Sequence, residues 1–200
     1  MGQRSLILVG LSLAACGGAP TTTTTTAPTS AMPLPQRVVA DFEAAVKSSK
    51  DAYVGLFDFV AVGEMEILLH RYDLNGRLVN LDATQKAQFA AEDGTPYPAE
   101  RERRNVGNFY TFLAQRTVGT GGCTASEPRT HYGKLLGKSY EPLPEGTPPG
   151  YEILRTHANE WIAKGGVVAI RCTGGKGSLA LVYTAKDNAR GYDLLTIYDD

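Results

Sequence analysis

Three runs of apolar, β-branched and aromatic residues close the chain, and they constrain its fold more than any other feature. They cover residues 167–173, 178–185 and 191–199. The stretches between them are short and rich in glycine or polar residues, as in connections between neighbouring antiparallel strands. The pattern therefore predicts a three-stranded antiparallel β-meander, with Val168, Ile170 and Cys172 on one face of its first strand.

Helical periodicity dominates the chain before this meander. Apolar residues recur every three or four positions in five segments. The segments are residues 36–49, 51–72, 84–92, 98–116 and 151–164. We expect Gly55 and Gly63 to break the second segment. The fold class predicted is α+β, with N-terminal helices packed on one face of a C-terminal three-stranded antiparallel meander.

Four of the five predicted segments carry candidate core residues at helical spacing. In the first, the stripe of these residues is Val38, Val39, Phe42, Ala45 and Val46. In the segment 51–72 it is Tyr53, Leu56, Phe57, Val60, Met65, Leu68, Leu69 and Tyr72. In the segment 98–116 it is Val106, Phe109, Tyr110 and Leu113, and in the segment 151–164 it is Ile153, Leu154, Ala158, Trp161 and Ile162. Asp82 is a plausible N-cap for the helix at 84–92.

Two segments leave more than one structure open. Residues 64–82 contain several helix formers, which favour a helix, but Asn75-Gly76 also suits the turn of a hairpin between 64–72 and 77–82. Glycine and proline are frequent in residues 117–150. They predict a long irregular connection with a short strand near 134–140.

The N-terminus has the composition of an export signal. Arg4 precedes a short apolar run at residues 6–13, well short of the roughly 20 residues that a membrane-spanning helix needs. The run ends in Leu13-Ala14-Ala15-Cys16. This motif resembles the lipobox of bacterial lipoproteins, in which a bulky aliphatic residue and two small residues precede the cysteine.

The lipobox resemblance implies that residues 1–15 are a signal peptide and that Cys16 carries the lipid. An ordinary secretory signal cut at the alanines is the alternative. Gly17 stands where the inner-membrane retention signal of this class has Asp, which implies anchoring in the outer membrane of the bacterial cell envelope. Residues 16–34, with threonine at every position from 21 to 26, predict a flexible tether. A single globular domain is then expected over residues 35–200.

Two cysteines remain for the domain, Cys123 and Cys172. In an oxidising compartment such a pair is usually bonded. Neither cysteine belongs to a Cys-x-x-Cys motif of the kind that binds zinc. We therefore predict a disulfide between them, with two buried free thiols as the alternative.

The charge balance argues against two kinds of partner, nucleic acid and an anionic membrane face. The chain has 20 basic and 21 acidic side chains, and removal of Arg4 with the signal makes it one unit more negative. Nucleic-acid binding requires a basic excess on one surface. The basic residues from Arg101 to Arg104 are interrupted by Glu102 and predict a solvated helix face. The expected contacts are the membrane, through the lipid on Cys16, and a protein or small molecule that the sequence does not identify.

No segment has the spacing of a known catalytic or metal site. Asp73-Leu-Asn75-Gly76 lacks the later glycine and acid of an EF-hand loop. Gly174-Gly-Lys-Gly-Ser178 joins two predicted strands, whereas a phosphate-binding loop joins a strand to a helix. We therefore expect no cofactor and no metal.

His157 and Glu160 form the one candidate constellation for chemistry. They lie on one face of the predicted helix 151–164, at a spacing that can set up an acid and a base or an ordinary surface contact. The other histidines, His70 and His131, are distant in sequence. The preferred hypothesis is an envelope lipoprotein with a non-catalytic binding or structural domain. The alternative is an extracytoplasmic enzyme with an acid-base site around His157 and Glu160.

A second resemblance concerns the domain itself. Residues 42–58, Phe42-Glu-Ala-Ala-Val-Lys-Ser-Ser-Lys-Asp-Ala-Tyr-Val-Gly-Leu-Phe-Asp58, resemble the opening helices of cone-shaped domains in the nuclear-transport-factor-like superfamily. The strand at 192–198 would correspond to a closing strand of that fold. The long helix and loop segments between them depart from the pattern, and no catalytic residue carries over.

Overall fold

The computed structural model describes residues 32–71, 80, 82–128 and 142–200. The predicted signal peptide, Cys16 and most of the predicted tether lie outside these residues. So do the turn of the alternative hairpin, the predicted strand near 134–140 and His131. The structural elements below belong to one compact unit, Met32–Asp200.

The sheet is antiparallel, and its described strands are β1 (Cys123–Ser126), β2 (Gly165–Cys172), β3 (Leu179–Ala185) and β4 (Tyr192–Asp199). Their order in the sheet follows their order in the chain. The α+β class and the three predicted strands are confirmed. The meander has a fourth strand, because β1 pairs with β2 inside the segment for which we expected irregular structure.

The helices account for the remaining regular structure. They are α1 (Leu34–Ser48), α2 (Lys50–Val54), α3 (Phe59–Arg71), α4 (Ala83–Glu92), α5 (Ala99–Phe109), α6 (Gln115–Val118) and α7 (Pro149–Lys164), with a π-helical stretch at Tyr110–Ala114. The predicted cap at Asp82 is present, because its Oδ1 accepts a hydrogen bond from the Gln85 backbone N–H at 2.8 Å. Residues 64–71 are helical, which agrees with the preferred prediction of a helix in this segment.

The expectation that helices cover only one face of the sheet is wrong. The predicted stripe of α1 packs on the face that carries Val168, Ile170 and Leu181. On the opposite face, Ala61 and Met65 of α3 pack against Val182 and Leu195. All but the last residue of β3 are therefore buried. The sequence signal for this burial is the continuous apolar run of β3, which suits a strand covered on both faces.

Gly63 was expected to break a helix, and it does not. It lies inside α3. A Cβ built on Gly63 would be 2.3 Å from the carbonyl oxygen of Tyr97, and the Tyr97 N–H donates to the Gly63 carbonyl at 3.4 Å. The glycine therefore serves close packing of the segment before α5. Gly55 does end a helix, α2.

Three predicted core residues are exposed instead. Val60 is 61% exposed, Phe109 is 46% exposed and Ile153 is 57% exposed. Phe109 is the last residue of α5 and directly precedes the π-helical stretch. Leu154 and Ala158 of α7 are buried as predicted.

The segment between α2 and α3 covers the outer edge of β4. The Leu194 N–H donates to the Leu56 carbonyl at 3.0 Å, and the Asp58 N–H donates to the Leu194 carbonyl at 3.1 Å. This pairing satisfies backbone groups that an open edge would expose. Within the described residues, no helix is both long and apolar enough to cross a membrane.

Candidate functional site

A cleft of about 390 Å³ opens between α3, α5 and β4. We call it the α3–α5 cleft. Two helical pairs enter it, Val62 with Glu66 from α3 and Glu102 with Val106 from α5. Residues four positions apart lie above one another on a helix, so each helix presents one aliphatic side chain and one carboxylate. Ile197 and Tyr198 of β4 form part of the remaining wall.

Glu102 is the more deeply buried carboxylate of the cleft, with 3% exposure. The Asn105 side-chain amide donates to its Oε2 at 3.3 Å. The Arg101 Nε lies 3.4 Å from its Oε1. A buried carboxylate needs such partners, because an unpaired one would be costly to desolvate.

Glu66 faces a different environment in the same cleft. Burial raises the pKa of Glu66, the charge of Glu102 raises it further, and Arg101 opposes the shift. In the part of the chain that the structure describes, no side chain hydrogen-bonds or ion-pairs with the Glu66 carboxylate. Among the described residues, the cleft therefore holds one carboxylate with hydrogen-bond and ion-pair partners and one without them.

Arg101 also lies over the ring of Tyr97. Its guanidinium carbon is 3.6 Å from the ring centroid, within the range of a cation–π contact. The Tyr97 hydroxyl is 3.2 Å from His70 Nδ1. The predicted solvated helix face is confirmed for Arg101, Arg103 and Arg104, which are exposed, and is wrong for Glu102, which is buried. The guanidinium carbon of Arg103 also lies 4.7 Å from the ring centroid of Phe59.

His157 and Glu160 line a second, smaller cleft of about 270 Å³ between α3 and α7. We call it the His157 cleft. His157 Nδ1 is 3.0 Å from Glu64 Oε2, and Glu64 is almost completely buried. Lys186 lies at the rim with its Nζ 3.3 Å from Asp58 Oδ2. The predicted pair therefore shares its cleft with a buried carboxylate, Glu64, that no spacing pattern in the sequence indicated.

The structure brings no second histidine to the His157 cleft from the residues it describes. His70 lies beside Tyr97. Across the described segments, no group of three or more His, Cys, Asp or Glu residues could hold a metal ion.

The disulfide prediction is confirmed. Cys123 and Cys172 are bonded, with their Cα atoms 4.0 Å apart. They are direct partners across β1 and β2. Cys123 is also held from α1, because Glu43 Oε2 accepts a hydrogen bond from its backbone N–H at 2.9 Å. The disulfide therefore has a structural role, because it joins β1 to β2.

The carboxylates of the two clefts could not be found from sequence spacing. Glu64 meets His157 across 93 residues of chain, and Glu66 meets Glu102 only because α3 packs on α5. The one local signal is Glu64-Met-Glu66 within an otherwise apolar helix, which places two acids where core residues are expected.

Comparison with known proteins identifies no relative of this chain. No family model matches the sequence, and no curated protein or solved structure was found to be similar to it.

Proposed function

We propose that this protein is a lipid-anchored protein of the bacterial cell envelope whose domain binds a small ligand in the α3–α5 cleft without transforming it. The observation that carries the proposal is the composition of this cleft. Apolar walls surround a small number of converging polar groups, and one of these groups, Glu66, has a raised pKa. This combination is typical of ligand-binding sites.

The proposed anchor is supported by the lipobox-like Leu13-Ala-Ala-Cys16 and the threonine-rich segment behind it. A disulfide between Cys123 and Cys172 fits an oxidising compartment outside the cytoplasm. Several acyl chains on Cys16 would hold the domain much more firmly than a single chain. Gly17 favours the outer membrane.

Binding is favoured over catalysis in the α3–α5 cleft by the residues that line it. The described lining includes no histidine, cysteine or serine, and its ionisable groups besides the two tyrosines are Glu66, Glu102 and Arg101. Glu102 is already engaged by Arg101 and Asn105. The groups present can orient and hold a ligand.

A rim substitution tests whether the cleft is the binding site. Asn108 is exposed at the rim, so Asn108→Trp should block the opening without disturbing the core. The chain from residue 16, carrying Cys16→Ser, would be screened by ¹⁵N–¹H NMR against small amines, alcohols and carboxylic acids. We expect fragment-induced shifts to cluster around the cleft and to vanish in Asn108→Trp.

Gln115→Trp is the matched control, since Gln115 is exposed on α6 and does not line the cleft. It should leave the fragment shifts unchanged. Shifts that survive Asn108→Trp, or that cluster elsewhere, would overturn the assignment of the cleft.

A second candidate function rests on the hydrogen bond between His157 and Glu64. A histidine oriented by a buried carboxylate is the base unit of many hydrolytic sites, and Glu160 and Trp161 line the same cleft. An extracytoplasmic enzyme with an acid-base site at His157 and Glu160 is therefore the alternative proposal.

Hydrolysis of p-nitrophenyl acetate near neutral pH tests this alternative. If the alternative is right, His157→Gln should hydrolyse the ester no faster than buffer alone, and Glu64→Gln should lower the rate by roughly tenfold or more. His70→Gln is the control, because His70 lies outside the His157 cleft. Equal rates in His157→Gln and the parent chain would eliminate the alternative.

A further inference from the structure

We propose that the ligand of the α3–α5 cleft is an organic cation, an ammonium group carried on an apolar or aromatic body. This inference rests on the proposed binding function and specifies the class of ligand.

The ionisable side chains of the cleft leave an unbalanced negative charge. Glu66 and Glu102 supply two carboxylates, and Arg101 supplies one guanidinium. Arg101 forms its ion pair with Glu102, so Glu66 is the carboxylate that has no ion-pair partner among the described residues. A ligand with one positive charge would balance the site, whereas an anion would add a third negative group. Charge complementarity of this kind selects the sign of a ligand.

The walls explain why the cation should be organic. Val62 and Val106 line the cleft with Ile197, and most of its surface is apolar. A bare divalent cation would require six or more oxygen ligands. Two carboxylates, one of them already engaged, fall short of that number. An apolar body beside the ammonium group would instead gain from burial against the valines.

Arg101 is a cation of this cleft that contacts both an aromatic ring and a carboxylate. Its guanidinium lies between the ring of Tyr97, at 3.6 Å from the centroid, and the carboxylate of Glu102. The second carboxylate, Glu66, and the exposed ring of Phe109 also line the cleft. A ligand ammonium paired with Glu66 could therefore contact an aromatic ring as Arg101 does.

Two probes of nearly the same shape test the sign of the charge. Phenethylamine carries an ammonium group, and 2-phenylethanol is its neutral counterpart. Both would be titrated into the chain from residue 16 with Cys16→Ser, followed by ¹⁵N–¹H NMR at about pH 7. We expect phenethylamine to shift the cleft resonances with a Kd of order 1 mM or below and to bind at least about tenfold more tightly than the alcohol.

Glu66→Gln should remove most of this preference while preserving the shape of the side chain. Its matched control is Glu100→Gln, which changes the same charge on exposed α5 surface away from the cleft. The control should bind both probes as the parent does. Retention of the amine preference in Glu66→Gln would overturn the role of Glu66.

The probe pair also separates this inference from the proposed function. Equal affinity for the amine and the alcohol, with shifts at the cleft, would leave the cleft a binding site and overturn the cation class. No cleft shifts with either probe at concentrations of order 10 mM would count against both proposals. Amine-induced shifts confined to the His157 cleft, which is also acidic, would place the cation site there and overturn this assignment.

Discussion

A single missing methyl group at Gly63 sets the distance between α3 and the segment before α5. The Tyr97 carbonyl oxygen occupies the space that a Cβ would need. Gly63→Ala should therefore push this segment away, weaken the Tyr97 N–H bond to the Gly63 carbonyl and lower the free energy of unfolding by about 1 to 3 kcal/mol. Urea unfolding measures the change.

Gly122→Ala is the control for this substitution, because nothing lies within 4 Å of a Cβ built there. It should shift the unfolding midpoint little. An unchanged midpoint in Gly63→Ala would mean that the Tyr97 segment can move away at no cost, and the close approach would then have no role in stability.

Glu66 should make stability depend on pH in a direction unusual for a carboxylate. Its folded pKa is raised by burial and by Glu102, with Arg101 opposing. The folded state therefore holds a proton that the unfolded state has already lost, so this contribution to stability falls as pH rises from the ordinary glutamate pKa through the raised one. Above that window the ionised Glu66 is a net cost to the fold.

Glu66→Gln tests this direction because it removes the titration. The free energy of unfolding of the variant minus that of the parent should be larger at about pH 7 than at about pH 4. The charged and titratable groups around Glu66 are Arg101, Glu102, Tyr97 and Tyr198, with His70 beyond Tyr97; all of them remain in the variant. A stability difference that is the same at both pH values, by urea unfolding with Glu100→Gln alongside, would contradict the raised pKa.

At the scale of elements, the disulfide holds β1 in the sheet. The strand is only Cys123–Ser126, and it is the outermost strand beside β2. Cys123→Ser, Cys172→Ser or the double variant should lower the free energy of unfolding by about 2 to 5 kcal/mol. Residues 119–128 should become susceptible to protease first. Normal resistance of these residues in the serine variants would show that the Glu43 contact and the strand hydrogen bonds suffice.

Whether the sequence could predict an element depends on whether the residues that determine it lie close together in the chain. The core stripe of α1 could be predicted because a helix buries residues by its own periodicity. Strand β1 could not be predicted, because Cys-Thr-Ala-Ser has no strong alternation of apolar and polar residues. Its pairing depends on β2, where the partner of Cys123 is Cys172, 49 residues further along the chain. The π-helical stretch likewise has no periodic signal in the sequence.

At the scale of the whole molecule, lipidation of Cys16 is the prediction with the largest consequence. Protein extracted with detergent from bacterial membranes should have the intact mass of a chain that begins at Cys16 and carries several acyl chains. Cys16→Ser should instead appear in the soluble fraction or as the uncleaved precursor. An unmodified chain that begins at another residue, or one released into buffer without detergent, would contradict the proposed anchor.

The sequence by itself determined the properties that depend on neighbouring residues. These include the amphipathic stripe of α1, the three closing strands, the cap at Asp82 and the lipobox-like motif, because periodicity, turn chemistry and short motifs act over a few positions. The pairing of the two remaining cysteines also followed from their number and the expected compartment.

The tertiary structure alone decided which distant residues meet. Helices cover both faces of the sheet, Glu64 reaches His157, and α3 brings Glu66 beside Glu102. The carboxylates that define both clefts lie on helices far apart in sequence, and their burial, partners and pKa arise only when those helices pack. The physical reason is that desolvation and Coulomb interactions depend on distance in space, whereas sequence patterns report distance along the chain.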